Sequence, residues 1–269
     1  KAIDGKANVG LYHAYRGIVN YRLRRIQSAV NDFSFAASNG DLDGYSALIM
    51  SQVLCWYIQD TRAAESLLQL SSRLESEFPN SSFSLESRAC AFMLSSKYEE
   101  AAKIYQSIIT KQPENFNSIY DLARVHIQLE ENDKATDLLN KVIKLEKTPR
   151  KLRGKAHFLS SYASWKSDKI DEAIASVEKA IKIRPDQAHY LLFYGELLEK
   201  KGDSIEKKRI LSRLDEMESA YQWALHRLAY FFFKQGDAEL SREYVMKAIG
   251  SSDQFTPSLA LGEMIADNL

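Results

Sequence analysis

Five histidines, two cysteines and a balanced set of charges are the groups in this 269-residue chain that could do chemistry. His13, His126, His157, His189 and His226 stand far apart. None belongs to the His-Glu-x-x-His spacing that sets two imidazoles and a carboxylate on one helical face to hold zinc. Cys55 and Cys90 offer no paired-thiolate spacing for a metal and are too few for a disulfide framework. They read as small buried hydrophobes, and an unbridged pair favours a reducing compartment, so the expected location is cytoplasmic. There is no phosphate-binding glycine loop, no dinucleotide fingerprint after a strand and no G-x-S-x-G nucleophile elbow. Glu196 and His226 are the one pair that folding on neighbouring helices could bring together for proton transfer, and a structural role is the expectation for both. The chain reads as a non-enzyme, with no cofactor and no catalytic or metal-ligating residue.

Charge excludes further classes. Thirty-six basic residues balance 36 acidic ones, so no global field favours nucleic acid. The run Lys141, Lys144, Lys147, Arg150, Lys151, Arg153, Lys155 reads as a solvated helix end and linker. Arg16, Arg22, Arg24 and Arg25 read the same way. No stretch has the length and apolarity of a membrane span, and none resembles a signal peptide. The chain begins at Lys1 rather than methionine, which leaves room for a targeting or anchoring segment upstream.

Any binding side chains must therefore be placed by the elements that carry them. Only 11 glycines and 5 prolines punctuate the chain, which favours long helices. Self-similarity near 34 residues organises them. In the clearest unit Leu85, Ala89 and Phe92 mark a first helix, Ala101, Tyr105 and Ile108 a second, and Pro113 closes it. Ala123 follows Ala89 by 34 residues, and Ala135, Leu139 and Val142 follow Ala101, Tyr105 and Ile108. After a linker near KTPRKLR the second helix returns as Ala173, Val177, Ala180 and then Pro185. Steps of three and four put these residues on one face, small residues let paired helices approach, and proline ends the ladder. Weaker units surround these. Gly17, Ala29, Phe33 and Ala36 mark the first; Met50, Leu54, Ala63, Leu67 and Leu70 the second. Gly195 and Gly202 mark the sixth, with Lys207 in a slot otherwise given to alanine, and Ala229, Phe232, Gly236, Ser241, Val245 and Ala248 the seventh. The expected units are 10–43, 44–81, 82–115, 116–149, 154–187, 188–221 and 222–255 in a single domain 1–269, closed by a capping helix at 257–268.

With Leu85, Arg88, Ala89, Phe92, Ala101, Tyr105, Ile108 and Pro113 in the best-spaced unit, the sequence resembles the tetratricopeptide repeat family over about residues 10–250. The resemblance implies an all-α, right-handed superhelical solenoid of antiparallel helix pairs, whose first helices line a concave face that takes a peptide or helix of a partner. One subclass grips the C-terminal carboxylate of heat-shock chaperones with lysines, asparagines and an arginine on three successive first helices. The corresponding places hold Glu86, Cys90, Asp121, Lys155 and Leu159, or, shifted to the last three units, Phe158, Tyr162, Phe193, Trp223 and Arg227. Only Lys155 or Arg227 fits, and the chain departs from that subclass.

On this reading the candidate partner-binding residues are Tyr21, Tyr45, Trp56, Tyr120, Arg124, Phe158, Tyr162, Trp165, Lys166 and Tyr230. Aromatic rings supply large contact area at low entropic cost, although any one ring can instead pack between neighbouring first helices. The expected function is a protein-interaction scaffold, with self-association as a further possibility. The alternative is a regulatory or assembly module cut from a larger signalling, transcriptional or envelope-associated protein.

Overall fold

Apolar steps of three and four produce helices wherever the sequence carries them. In the computed structural model these are α1 (Val9–Arg22), α2 (Ile26–Ser38), α3 (Gly44–Val53), α4 (Ala64–Glu77), α5 (Phe83–Leu94), α6 (Tyr98–Lys111) and α7 (Phe116–Gln128), followed by α8 (Asn132–Lys144), α9 (Arg150–Lys166), α10 (Ile170–Ile183), α11 (Ala188–Lys201), α12 (Ser204–Asp215), α13 (Ala220–Lys234) and α14 (Ala238–Gly250). The structure describes residues 9–23, 25–39, 42–55, 63–79, 81–215, 220–234 and 236–250, and among these there is no strand. Trp56 and the expected closing helix 257–268 lie outside them. Odd-numbered helices are the first of each pair and even-numbered ones the second. The chain divides into two units, Lys1–Ser118 and Ile119–Leu269.

The repeated pattern becomes the core. Ala101, Tyr105 and Ile108 on α6, Ala135, Leu139 and Val142 on α8, and Ala173, Val177 and Ala180 on α10 are all fully buried. Where the small slot carries a hydroxyl, the neighbouring backbone satisfies it. Ser161 Oγ on α9 donates to the Ala173 carbonyl at 2.6 Å, and Ser241 Oγ on α14 donates to the Ala229 carbonyl at 2.9 Å. Helices that close need small residues or such bonds between them. Lys207 solves its slot differently, reaching Glu199 on α11 at 2.8 Å.

The turns inside the pairs repeat as faithfully as the helices. Ser96, Glu130, Asp168, Gly202 and Gly236 all have positive φ, from 56° to 83°, and the steps between them are 34, 38, 34 and 34 residues. The longer step is the linker before α9. Each residue ends a first helix in the left-handed conformation, which costs any side chain but glycine. A pair of opposite-signed changes follows. Gly202→Ala should destabilise the second unit by about 1 kcal/mol, whereas Glu130→Gly should stabilise it by about 0.5–1 kcal/mol. Urea unfolding of the two variants beside wild type checks both signs.

In the first unit Gly17 on α1 lies so close to α2 that a Cβ there would stand 2.6 Å from Phe33 Cε1. One turn away the α1–α2 contact is polar. Asp32, only 3% exposed, accepts from Arg16 Nε at 2.9 and 3.0 Å and from Asn20 Nδ2 at 2.9 Å, and faces His13 Nδ1 at 2.9 Å. Burial alone would raise the carboxyl, but the hydrogen bonds of Arg16, His13 and Asn20 outweigh it and hold Asp32 below the usual carboxylate value. A depressed folded-state value means stability that is complete above the unfolded value near ~3.9 and is lost as pH falls through the depressed one. Thermal melts between pH 7 and 2 should therefore show the first unit weakening below about pH 4. Asp32→Asn should lose stability at pH 7 and flatten that acid limb.

The same unit corrects the expectation for the cysteines. Cys55, just beyond α3, and Cys90, on α5, are joined by a disulfide, with Cα atoms 5.8 Å apart. Both residues are buried, as expected, but they are bridged rather than free thiols.

Candidate interaction face

In the second unit the first helices α9, α11 and α13 pack side by side through their aromatic residues. Phe158 of α9 stacks on Tyr190 of α11 (centroids 4.2 Å, planes at 21°) and meets Phe193 and Phe231 edge-on at 5.4 and 4.6 Å. Tyr162, one turn later, packs on Phe231 at 5.3 Å and Phe232 at 5.8 Å. Its hydroxyl donates to Asp237 Oδ2 at 3.0 Å, and Lys166 Nζ reaches the same oxygen at 3.3 Å. Asp237 follows α13, so α9 touches α13 as well as α11. Gly236 completes the closure, because it lies against the side-chain amide of Gln128 at the end of α7 and a Cβ there would collide with it.

The expected binding residues thus fall into different environments. Phe158 and Tyr162 are 2% and 1% exposed and fill the space between first helices. Burial, then the charge and hydrogen bond of Asp237, keep the Tyr162 hydroxyl protonated far above the ordinary phenol value. Trp165 is half-buried, lies edge-on to Phe193 at 5.9 Å and has Lys200 Nζ 4.7 Å over its ring, a cation–π contact at the solvent edge. Lys166 is exposed beside it. Tyr120 and Tyr230 are half-buried, and burial raises the Tyr120 hydroxyl. Arg124 is buried, with Nη1 3.3 Å from Asp121 Oδ1. In the first unit Tyr45 on α3 is 67% exposed, Tyr21 on α1 is half-buried against the core, and Trp56 lies outside the described residues.

Sequence spacing did not single out Tyr190 or Phe231 as partners of Phe158. The signal was present in the run Tyr230-Phe231-Phe232-Phe233. Four successive aromatics sweep most of the way around a helix, so some must turn to first helices and others to the second. Phe231 faces α9, while Phe232 also meets Tyr244 of α14 at 5.3 Å.

Among the described residues no group of three or more His, Cys, Asp or Glu is placed to hold a metal ion, and no helix is long and apolar enough to cross a membrane. Comparison with known proteins agrees with the repeat geometry. Tetratricopeptide repeat models match residues 92–153, 154–187 and 224–255. No curated protein matches the sequence significantly. Among solved structures, a tetratricopeptide repeat protein from Parabacteroides merdae is 13% identical with a TM-score of 0.56, covering 96% of this chain and 98% of its own. A thermophilic tetratricopeptide repeat protein of Thermus thermophilus is 17% identical with a TM-score of 0.55, over 71% of this chain and 99% of its own. MamA (residue 41 to the end) from Desulfovibrio magneticus is 17% identical with a TM-score of 0.53, over 66% and 96%. At such identities the structures speak for the fold alone. It is the tetratricopeptide repeat family that the chain resembles, over residues 92–187 and 224–255.

Proposed function

We propose that the chain is a protein-interaction scaffold that binds a peptide or helix of a partner on the face of its first helices, and that it performs no catalysis of its own. The observation that carries this reading is the arrangement of that face in the second unit. A rigid aromatic floor made by Phe158, Tyr162, Phe193 and Phe231 supports a solvent edge of Trp165, Lys166 and Lys200. Buried rings that fix the backbone, with amphipathic groups above them, suit a preformed docking surface. Phe158 and Tyr162 then act by shaping the face, and Trp165, Lys166, Tyr230 and, in the first unit, Tyr45 are the groups a partner meets.

Photo-reactive residues at Tyr45, Trp165 and Tyr230, compared with controls at the exposed second-helix positions Lys103 and Glu178, test this in native extract. The scaffold reading expects protein adducts at the first-helix positions and few at the controls. Equal labelling at both sets, or none at either, would sink it.

The disulfide favours one version of the alternative role. Bridges of this kind persist in oxidising compartments, so an envelope-associated or exported assembly module fits Cys55–Cys90 better than a cytoplasmic one. Thiol alkylation of the protein taken from its native source, followed by intact mass, should leave both cysteines unlabelled. Two labels would return the chain to a reducing compartment. Self-association has a surface on α1 and just beyond it, where Tyr12, Tyr15, Val19 and Leu23 are 53–60% exposed, and sedimentation over a concentration series reads it directly.

A further inference from the structure

Four basic groups of the second unit lie near one another on and beside the first helices, although they are scattered in sequence. Lys155 comes from α9, Arg184 from the connection into α11, Arg227 from α13 and Arg124 from α7. Lys155 and Arg227 are exposed. Arg227 Nη1 donates at 3.3 Å to Gln187 Oε1, a neutral acceptor that leaves the guanidinium charge uncompensated by that contact. The stem of Arg184 lies where α9 has Gly154, and a Cβ there would stand 2.9 Å from its Cγ and Cδ, so the glycine makes room for the arginine. Among these groups sits His189, the second residue of α11. Its Nδ1 is buried without a hydrogen-bond partner, while its ring packs on Phe158 at 5.5 Å. A buried imidazole nitrogen with nothing to bond is costly and points to a missing partner.

We propose that this face binds an acidic peptide segment, with Asp or Glu side-chain carboxylates held by Lys155, Arg184 and Arg227 above Arg124 and His189. The proposal rests on the scaffold reading and names the class of its partner.

The electrostatics agree with the geometry. Burial first, and then the charges of Arg227, Arg184 and Lys155, push His189 down to about 3, so it stays neutral and can offer an N–H. Desolvation of the Lys155 ammonium, followed by the positive charges of Lys151, Arg124 and Arg184, lowers its proton affinity although the residue reaches solvent. Cations on three elements that lower the proton affinity of both Lys155 and His189 mark a positive potential, which an anion relieves. Carboxylate is the favoured anion because two guanidinium groups here already face one. Arg124 is 3.3 Å from Asp121, and Arg184 Nη2 is 3.8 Å from Asp186, an exposed residue that an incoming carboxylate can displace. A series of carboxylates along a peptide also suits cations that are carried on successive helices, whereas a single phosphate needs them converging on one point.

Fluorescence anisotropy with the full chain and a labelled deca-glutamate peptide tests the proposal. Wild type should bind it, with affinity falling as salt rises. Lys155→Glu with Arg227→Glu should weaken binding at least tenfold at unchanged helicity and melting temperature. The matched change Lys103→Glu with Lys111→Glu, on exposed positions of α6, should alter it less than twofold. Amidating the peptide C-terminus should leave affinity unchanged if side-chain carboxylates are the ligands. Absence of binding, equal loss in the control variant, loss on amidation, or displacement by inorganic phosphate at lower concentration than by free peptide would each overturn the proposal. If the photo-cross-links form at first-helix positions while deca-glutamate does not bind, only the acidic partner is wrong. Failure of both removes the scaffold reading as well.

Discussion

Tyr162→Ala is expected to lower the stability of the second unit by about 3–5 kcal/mol, the range for removing a fully buried aromatic. The ring is 1% exposed and touches Phe231 and Phe232 of α13, while its hydroxyl donates to Asp237. Asp237 also holds Lys166 and faces the backbone N–H of Leu240 at the start of α14. One side chain thus joins α9 to the turn between α13 and α14. Tyr162→Phe separates the two contributions. It keeps the packing and loses one hydrogen bond to a charged acceptor, so its cost should be about 1.5–3 kcal/mol, smaller because Lys166 still serves Asp237. Urea unfolding followed by tryptophan fluorescence reads both variants. A loss below about 1 kcal/mol for the alanine would mean that Tyr162 is not a structural member of the face.

The second large effect belongs to the first unit. Reducing Cys55–Cys90 should cost that unit about 2–4 kcal/mol, because the bridge closes a sequence separation of 35 residues and restricts the unfolded chain. Reduced protein should melt earlier in transitions assigned to α1–α6 and unchanged in those of α8–α14. Cys55→Ala with Cys90→Ala should reproduce the effect and abolish its dependence on reductant. Both sulfurs are buried in well-packed surroundings, so lost packing adds to the alanine values and reduction of wild type is the cleaner measurement. Equal melting with and without reductant would show that the bridge does not constrain folding.

The repeat was legible because its physics is local. Ala101, Tyr105 and Ile108 announce a buried helical face by spacing alone, and Ala135, Leu139 and Val142 announce it again. The left-handed turns at Ser96, Glu130 and Asp168 were not legible, because glycine is the sequence sign of that conformation and appears only at Gly202 and Gly236. The disulfide was missed although its signal was available. Residues one repeat apart sit at equivalent places on adjacent first helices, and Cys55 and Cys90 are 35 residues apart. Ser51 and Ser87, whose hydroxyls are hydrogen-bonded, and Phe158 and Phe193 follow the same arithmetic.

The site was less legible than the fold. A one-repeat offset places α9 beside α11, but nothing in it brings α9 to α13. That contact depends on how tightly the first helices curl, which the rings themselves decide, with Phe158 and Tyr162 both reaching Phe231. The basic set shares this origin. Lys155, Arg184 and Arg227 look like isolated surface charges until the helices are packed, and His189 reads as an ordinary histidine until its Nδ1 is found buried and unbonded.

Amide hydrogen exchange on the full chain, alone and with the protein recovered by photo-cross-linking, tests the central claim most directly. Binding on the first-helix face predicts added protection in α9, α11 and α13 and little change in α10, α12 and α14. Protection confined to the second helices, or absent from all six, would contradict it.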